Sequence, residues 1–212
     1  MFAVWAVPKP GNRRLDVAGR LKGYTTTVSQ EQDLVNVIVN DHREVEQVFT
    51  QLEEPGVEPQ RRKELVDHVI AELVRHSVAE EQYMYPAARR YLDNGDEIAD
   101  HEISEHAEAE RVMKRLEGMD PTDSEFDGLV RQLIDSIRHH IEDEEGDLLP
   151  KLRAACDEQE LRDLGQKVVN AKRVAPTRPH PMAPDKPPAN RILNPGAGLV
   201  DRLRDKLSGR EV

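Results

Sequence analysis

Four histidines and two glutamates recur in this chain at one fixed offset. His76-Ser-Val-Ala-Glu80-Glu81, followed by Pro86, is answered by His140-Ile-Glu-Asp-Glu144-Glu145, followed by Pro150. Each matched pair lies 64 residues apart, and the same offset carries His42 onto His106. Side chains four apart on a helix share one face, about one turn from each other. His76 and Glu80 can therefore address one point in space, as can His140 and Glu144. Neutral imidazole and carboxylate are transition-metal ligands. Helical bundles build dinuclear sites from such groups on facing helices. One His-x-x-x-Glu is a weak signal, since both residues are ordinary on helices. Two copies, each with a lone His 34 residues upstream, are a strong one. The plainer reading, two solvated His/Glu faces with coincident spacing, must also explain why the apolar framework repeats.

That framework keeps the offset. Val48 falls on Val112, Leu52 on Leu116, Leu65 on Leu129, Val69 on Leu133, Ile70 on Ile134 and Leu73 on Ile137. The chain reads as a duplicated helical hairpin. Ser29 with Gln32 forms a capping box for a first helix over about 30–53, whose stripe is Leu34, Val37, Ile38, Val45, Val48, Phe49 and Leu52. Glu54-Pro55-Gly56 ends it. A second helix spans about 59–92, with a kink near Pro86. A third spans about 96–118 and ends at Gly118. Thr122 and Glu125 cap a fourth over about 122–155, interrupted near Pro150. Asp157 with Glu160 starts a shorter fifth helix to about 173.

These elements divide the chain into an extension over 1–28 with no lasting period, a helical domain over 29–156, the added helix over 157–173, a linker over 174–195 and a short helix over 196–212. Residues 174–190 hold six prolines and little apolar content, the composition of an extended linker. Leu199, Val200, Leu203 and Leu207 form one narrow stripe on the last helix. The helix that carries it either docks on the bundle, frays in solvent, or binds a partner protein through that stripe.

With 212 residues, 33% charged and 4% aromatic, the chain suits one helical domain with tails. A formal net charge of −11 disfavours nucleic acid and anionic membranes as partners. The single cysteine, Cys156, excludes an intrachain disulfide and a cysteine-based zinc or iron–sulfur site. No apolar run reaches transmembrane length, and Phe2–Val7 is too short for a signal core. The expected compartment is the cytoplasm.

The His and His-x-x-x-Glu pattern, given twice, resembles the hemerythrin-like HHE cation-binding domains over about residues 30–155. The resemblance implies an all-α, up-down-up-down four-helix bundle with a non-haem di-iron centre between its helices. By motif match, His42, His76, Glu80, His106, His140 and Glu144 fall on ligand positions. The chain departs from the family at one point. Classical hemerythrins carry a second His one turn before the third-helix His, where this chain has Glu102. His101 lies five residues before His106, roughly 140° off its face, so Glu102 fits the geometry better. His101 stays open if the helix bulges. Glu145 stays open beside Glu144, which the repeat favours. On this resemblance Glu80 and Glu144 are bridges, and His42, His76, His106 and His140 are terminal ligands. Glu102 is an added ligand, and the irons are oxo- and carboxylate-bridged.

Such a centre would bind a small diatomic gas or peroxide. An anionic Glu102 favours the oxidised metal pair, so peroxide or NO handling, or redox sensing, is expected over oxygen carriage; turnover is left open. Two rivals belong to other classes. A ferritin-like iron oxidase or store would use Glu-x-x-His, the reverse order. A metal-stabilised interaction module would speak to a protein partner through the tail. Of the remaining candidates, His68 and His139 are expected outside the site and His180 in solvent. Tyr83 is expected on the metal-facing side, either bonded to a ligand or closing the core, and Tyr85 in packing.

Overall fold

A computed structural model describes residues 33–182 and 189–210, with side chains throughout except at 189–194. The extension over 1–28 and the Ser29–Gln32 capping box lie outside the described residues.

Helix α1 (Leu34–Glu53) starts at Asp33, whose Oδ1 accepts the Asn36 N–H at 2.8 Å. The predicted apolar stripe of α1 is buried throughout. Helix α2 (Pro59–Ala79) begins with a proline in its first turn, where a missing N–H costs nothing. It runs without a break into a π-helical turn (Glu80–Met84) and then α3 (Tyr85–Tyr91). The second half repeats this sequence of elements: α5 (Phe126–Asp143), a π turn (Glu144–Leu148) and α6 (Leu149–Ala155). The cause is Pro86 and Pro150. A proline inside a helix cannot donate, and its ring meets the carbonyl four residues back. Widening the preceding turn, with the Tyr85 N–H bonded to Glu80 O and the Leu149 N–H to Glu144 O, relieves that clash. The duplication thus extends to the backbone irregularities, which take the place of the expected kinks.

Helix α4 (Gly95–Glu117) follows a tight turn in which a Cβ on Gly95 would lie 2.0 Å from the Ala88 carbonyl oxygen. Only glycine fits there. Helix α5 starts at Phe126, four residues later than the Thr122–Glu125 box predicts. The Thr122 N–H and hydroxyl donate to Asp120, and the Glu125 N–H donates to Asp123. Short aspartate side chains bond the backbone locally and turn the chain before the helix begins.

The bundle buries two apolar layers. One holds Val48, Phe49, Leu65, Ile70, Leu116, Phe126 and Ile134. The other holds Leu34, Ile38, Met84, Leu148, Leu152, Leu164 and Val168. In the chain, the His and Glu motifs fall between the segments that build these layers. Helix α7 (Glu158–Val174), capped by Asp157 on the Glu160 N–H, packs on α1 and α2 and closes the second layer.

After α7 the structure departs from the sequence reading. The stretch expected as linker includes Ala175, Pro176, Thr177 and Pro179, all buried. Helix α8 spans Ala189–Ser208, starting earlier than 196 and including Pro195. Its inward face is polar. Asp201 and Asp205 are 0% and 3% exposed, while Leu199, Val200, Leu203 and Leu207 are at least 55% exposed. The stripe offered for docking or for a partner is therefore not the face that docks.

Candidate metal centre

The seven sequence-predicted residues lie together in the interior. α1 presents His42, and the last turn of α2 presents His76. α4 presents Glu102 and His106, and α5 presents His140. Glu80 and Glu144 each open a π turn. All seven are buried, Glu80 and Glu144 completely.

Their inner atoms converge. Glu80 lies 3.0 Å by Oε1 from His76 Nε2 and 3.4 Å by Oε2 from His106 Nε2. Glu144 lies 3.3 Å by Oε2 from His42 Nε2 and 3.6 Å by Oε1 from His140 Nε2. Each carboxylate therefore serves a histidine from each half of the repeat. One compact donor set is His42, His76, Glu80 and Glu144; the facing sets are Glu80, His106 and His140, and Glu102, His140 and Glu144. Despite these short distances, His42 Nε2, both Glu80 oxygens, Glu102 Oε2 and Glu144 Oε2 lack a hydrogen bond of proper geometry. Buried polar atoms are normally satisfied. Unsatisfied imidazole and carboxylate atoms aimed at common points are what a bound cation would satisfy, so the residues fit a metal.

An outer ring of carboxylates obeys the same repeat. His76 Nδ1 lies 3.3 Å from Asp41 Oδ2, and His140 Nδ1 lies 3.1 Å from Glu105 Oε2. His42 Nδ1 lies 2.9 Å from Glu145 Oε1, and His106 Nδ1 lies 3.1 Å from Glu81 Oε1. Asp41 and Glu105 are 64 residues apart, as are Glu81 and Glu145. A carboxylate on Nδ1 fixes the ring and its tautomer and leaves Nε2 for a metal. Sequence reasoning missed this ring, although the repeat itself held the signal.

The hemerythrin HHE cation-binding domain profile matches residues 33–152, more than half of the chain. The chain belongs to this family. An uncharacterized hemerythrin-like protein of Schizosaccharomyces pombe is 28% identical over 173 residues, covering 81% of this chain and 85% of that protein. A DNA nickase of a Nostoc strain is 32% identical over 126 residues, covering 58% of this chain but only 34% of the nickase. No solved structure matches significantly.

Within this HHE domain the electrostatics are dominated by burial and by the carboxylates. Burial alone would depress the His76 pKa, yet Glu80 and Asp41 outweigh it and raise the imidazole to about 10. Burial likewise opposes protonation of His106 and His140, which Glu80 and Glu81, and Glu144, Glu102 and Glu105, nonetheless raise. Burial would raise Glu80, but His76 and His106 hold it well below the usual carboxylate range. Protons on these imidazoles must leave when a cation enters, because metal ligands are deprotonated.

The open alternatives take distinct places. Glu102 is 3% exposed, with Oε2 2.9 Å from His140 Nδ1; His101 is 59% exposed and faces Glu105 and Asp143. Glu144 points inward, while Glu145 pairs with His42 Nδ1 and Arg43. His139 is on the surface and His68 is half-buried away from the centre. Two expectations are corrected. Tyr85, expected in packing, enters the site: its fully buried hydroxyl donates to Glu144 Oε1 at 3.0 Å and lies 3.1 Å from His106 Nε2, while Tyr83 packs half-buried against the second apolar layer, the core-closing alternative. The π turn adds a residue to the helix and shifts everything after it by roughly 100°, which the straight-helix projection could not include. His180 is half-buried rather than free in solvent; its ring bonds Asp201 Oδ2 at 2.8 Å.

Proposed function

We propose that this centre holds two iron ions and handles a small oxidant, peroxide or NO, in preference to carrying O₂. The observation that supports it is the sharing of Glu80 and Glu144. Each fully buried carboxylate faces imidazole Nε2 atoms from both halves, the disposition expected of a bridge between two cations. His42 and His76 would complete one metal; His106, His140 and Glu102 would complete the other. The first has fewer donors, so the pair is unequal. A bound iron pair supplies one-electron steps and a Lewis-acidic point for an oxidant.

The remaining features come from the protein's own groups. The imidazoles meet the first apolar layer around a cavity of about 10 Å³ lined by Val45, Leu73, Ile137 and Ile141. That is room for no more than about one water-sized guest. Reversible O₂ carriage needs such a dry pocket but also needs protons withheld. Here the Tyr85 hydroxyl sits against Glu144 and His106, a hydrogen-bond donor at the edge of the donor cluster. Glu102 adds negative charge, which favours the oxidised pair. Both features argue for consuming or sensing an oxidant, in a chain whose described residues include no helix long and apolar enough to cross a membrane.

The deciding measurement is metal analysis with an optical spectrum of the aerobically oxidised full chain. Two irons per chain, with near-ultraviolet absorption from an oxo-bridged ferric pair, are expected. Zinc, or one metal per chain, would end the di-iron reading. Stopped-flow mixing of the reduced protein with peroxide, NO and O₂ then ranks the oxidants. A DNA-cleaving role is not carried over from the Nostoc relative. The match covers about a third of that protein, and a net charge of −11 opposes phosphate binding.

A further inference from the structure

A cavity of about 110 Å³ lies between α2, α4 and the segment that follows α7. His106 is one of its walls. Ile103 and Met113 supply an apolar side; Ser77, Glu81 and Glu110 supply a polar one. The outer wall is the strap formed by Pro176, Arg178, His180 and Pro181, which lies beyond the residues matched by the family profile.

The strap is fastened at both ends of its short course. The His180 N–H donates to Glu110 Oε1 at 2.6 Å. Helix α8 holds the rest through two buried acids. Asp201 accepts the Thr177 and Arg178 N–H groups at 3.3 Å and meets the His180 ring. Asp205 accepts the Thr177 hydroxyl and the Arg178 guanidinium. This accounts for the acidic inward face of α8, which a helix docking by apolar contact would not carry.

We propose that this cavity is a binding site for a small, uncharged, hydrogen-bond-donating molecule of the hydrogen peroxide type, held beside His106. The inference deepens the peroxide reading above and rests on it for its biological meaning. Glu81 and Glu110 offer carboxyl oxygens that accept hydrogen bonds. Arg178, in the same wall, is engaged by Glu117 and Asp205. Peroxide carries two O–H donors, whereas O₂ and NO carry none, so only peroxide uses the polar wall. On the same measure this volume holds several water-sized molecules, enough for a peroxide and companion waters.

Met113 allows a test that needs no metal. A peroxide oxygen transferred to its thioether sulfur gives the sulfoxide and releases water. Met113 is 2% exposed and lines the cavity; Met84 is 0% exposed and lies in the second apolar layer; Met182 is 97% exposed. The metal-free full chain is treated with hydrogen peroxide and each methionine is followed by peptide mass spectrometry. Met113 should oxidise at least about tenfold faster than Met84. Ala107→Leu, which narrows the cavity, should slow Met113 about fivefold and leave Met182 unchanged. Asp201→Asn, which weakens the clasp, should speed Met113 and not Met84. The bulkier tert-butyl hydroperoxide should reach Met182 but not Met113. Equal, slow rates at Met113 and Met84 would overturn the site, as would equal access by the two oxidants. Because no iron takes part, such a failure is separate from any failure of the di-iron reading.

Discussion

The Tyr85 hydroxyl donates to Glu144 Oε1 at 3.0 Å, joining a residue just after the first π turn to the carboxylate that opens the second. The repeat partner of Tyr85 is Leu149, so the contact has no counterpart and makes the two sides of the centre chemically unequal. Burial, then the nearby Glu144 and Glu80 carboxylates, raise the phenol well above its ordinary value and keep it a proton donor.

Tyr85→Phe removes that donor and little volume. The bundle should stay folded, with stability lowered by about 1.5–3 kcal/mol for one buried hydrogen bond to a carboxylate. Metal content should be unchanged, while the rate of oxidation of the reduced protein by peroxide falls about tenfold. A variant that reacts at the parent rate would remove Tyr85 from the chemistry.

The histidine pairs should behave as the duplication dictates. His76→Ala and His140→Ala each take one imidazole from one side of the centre, and each removes the imidazole that an outer carboxylate, Asp41 or Glu105, orients. Both should lower metal loading and melting temperature together, because binding favours the folded state by mass action. His68→Ala and His139→Ala should do neither. Asp41→Ala, one step removed, should weaken metal binding by about 10–100-fold, as loss of such a partner typically does. Metal titration followed by calorimetry checks all five variants.

Glu102→Ala should reduce metal loading or change the spectrum with the bundle still folded, and His101→Ala should change nothing. The difference follows from their positions: Glu102 is 3% exposed against His140, His101 59% exposed beside Glu105 and Asp143 and away from the inner cluster. An altered spectrum in His101→Ala alone would reverse the assignment.

The seven inner residues were legible because each is an exact repeat or one helical turn from a repeat. The first apolar layer was legible for the same reason; the second draws Leu164 and Val168 from α7, which lies outside the repeat. What escaped depends on departures from the straight α-helix or on contacts between segments far apart in the chain. The first π turn brings Tyr85 into the site. The Asp120 and Asp123 turns delay α5. The polar face of α8 could not be seen, because Leu199, Leu203 and Leu207 form the obvious stripe. Only the fold shows that Asp201 and Asp205 meet Thr177, Arg178 and His180. Helix α7 also does more than its sequence suggests: Lys172 Nζ lies 2.5 Å from Asp41 Oδ1, steadying the group that orients His76.

The metal-free chain should show a pH window of stability. His76 is raised from 6.5 to about 10, chiefly against burial, by Glu80 and Asp41. Its protonated form therefore contributes stability that is complete below about 6.5 and is lost as pH rises through about 10. Glu80, held below its ordinary 4.5, contributes stability above that value that is lost on acidification. The melting temperature of the metal-free chain should thus fall between pH 7 and about 10. The metal-loaded chain should be flatter there, since its ligands have already lost their protons. Thermal melts of both forms across this range decide it, and parallel curves would count against protons occupying the metal positions.

The attachment of α8 can be tested at one atom. A Cβ on Gly198 would lie 2.3 Å from the Val174 carbonyl oxygen and 2.6 Å from that of Ala175. Both obstacles are backbone, so neither can swing aside. Gly196, in the same helix, has nothing within 4 Å of its Cβ position. Alanine is the better helix former at either site by about 0.5–1 kcal/mol. Gly196→Ala should therefore leave α8 docked or tighten it slightly. Gly198→Ala should lift it, and with it the Asp201 and Asp205 clasp on the strap. Hydrogen exchange should rise across 175–181 and 197–208 in Gly198→Ala only, with no change in α1 or α5. Metal content should be the same in both variants, because every residue of the inner cluster lies in the bundle. Equal protection of 175–181 in the two variants would show that α8 is held by something other than this close backbone contact.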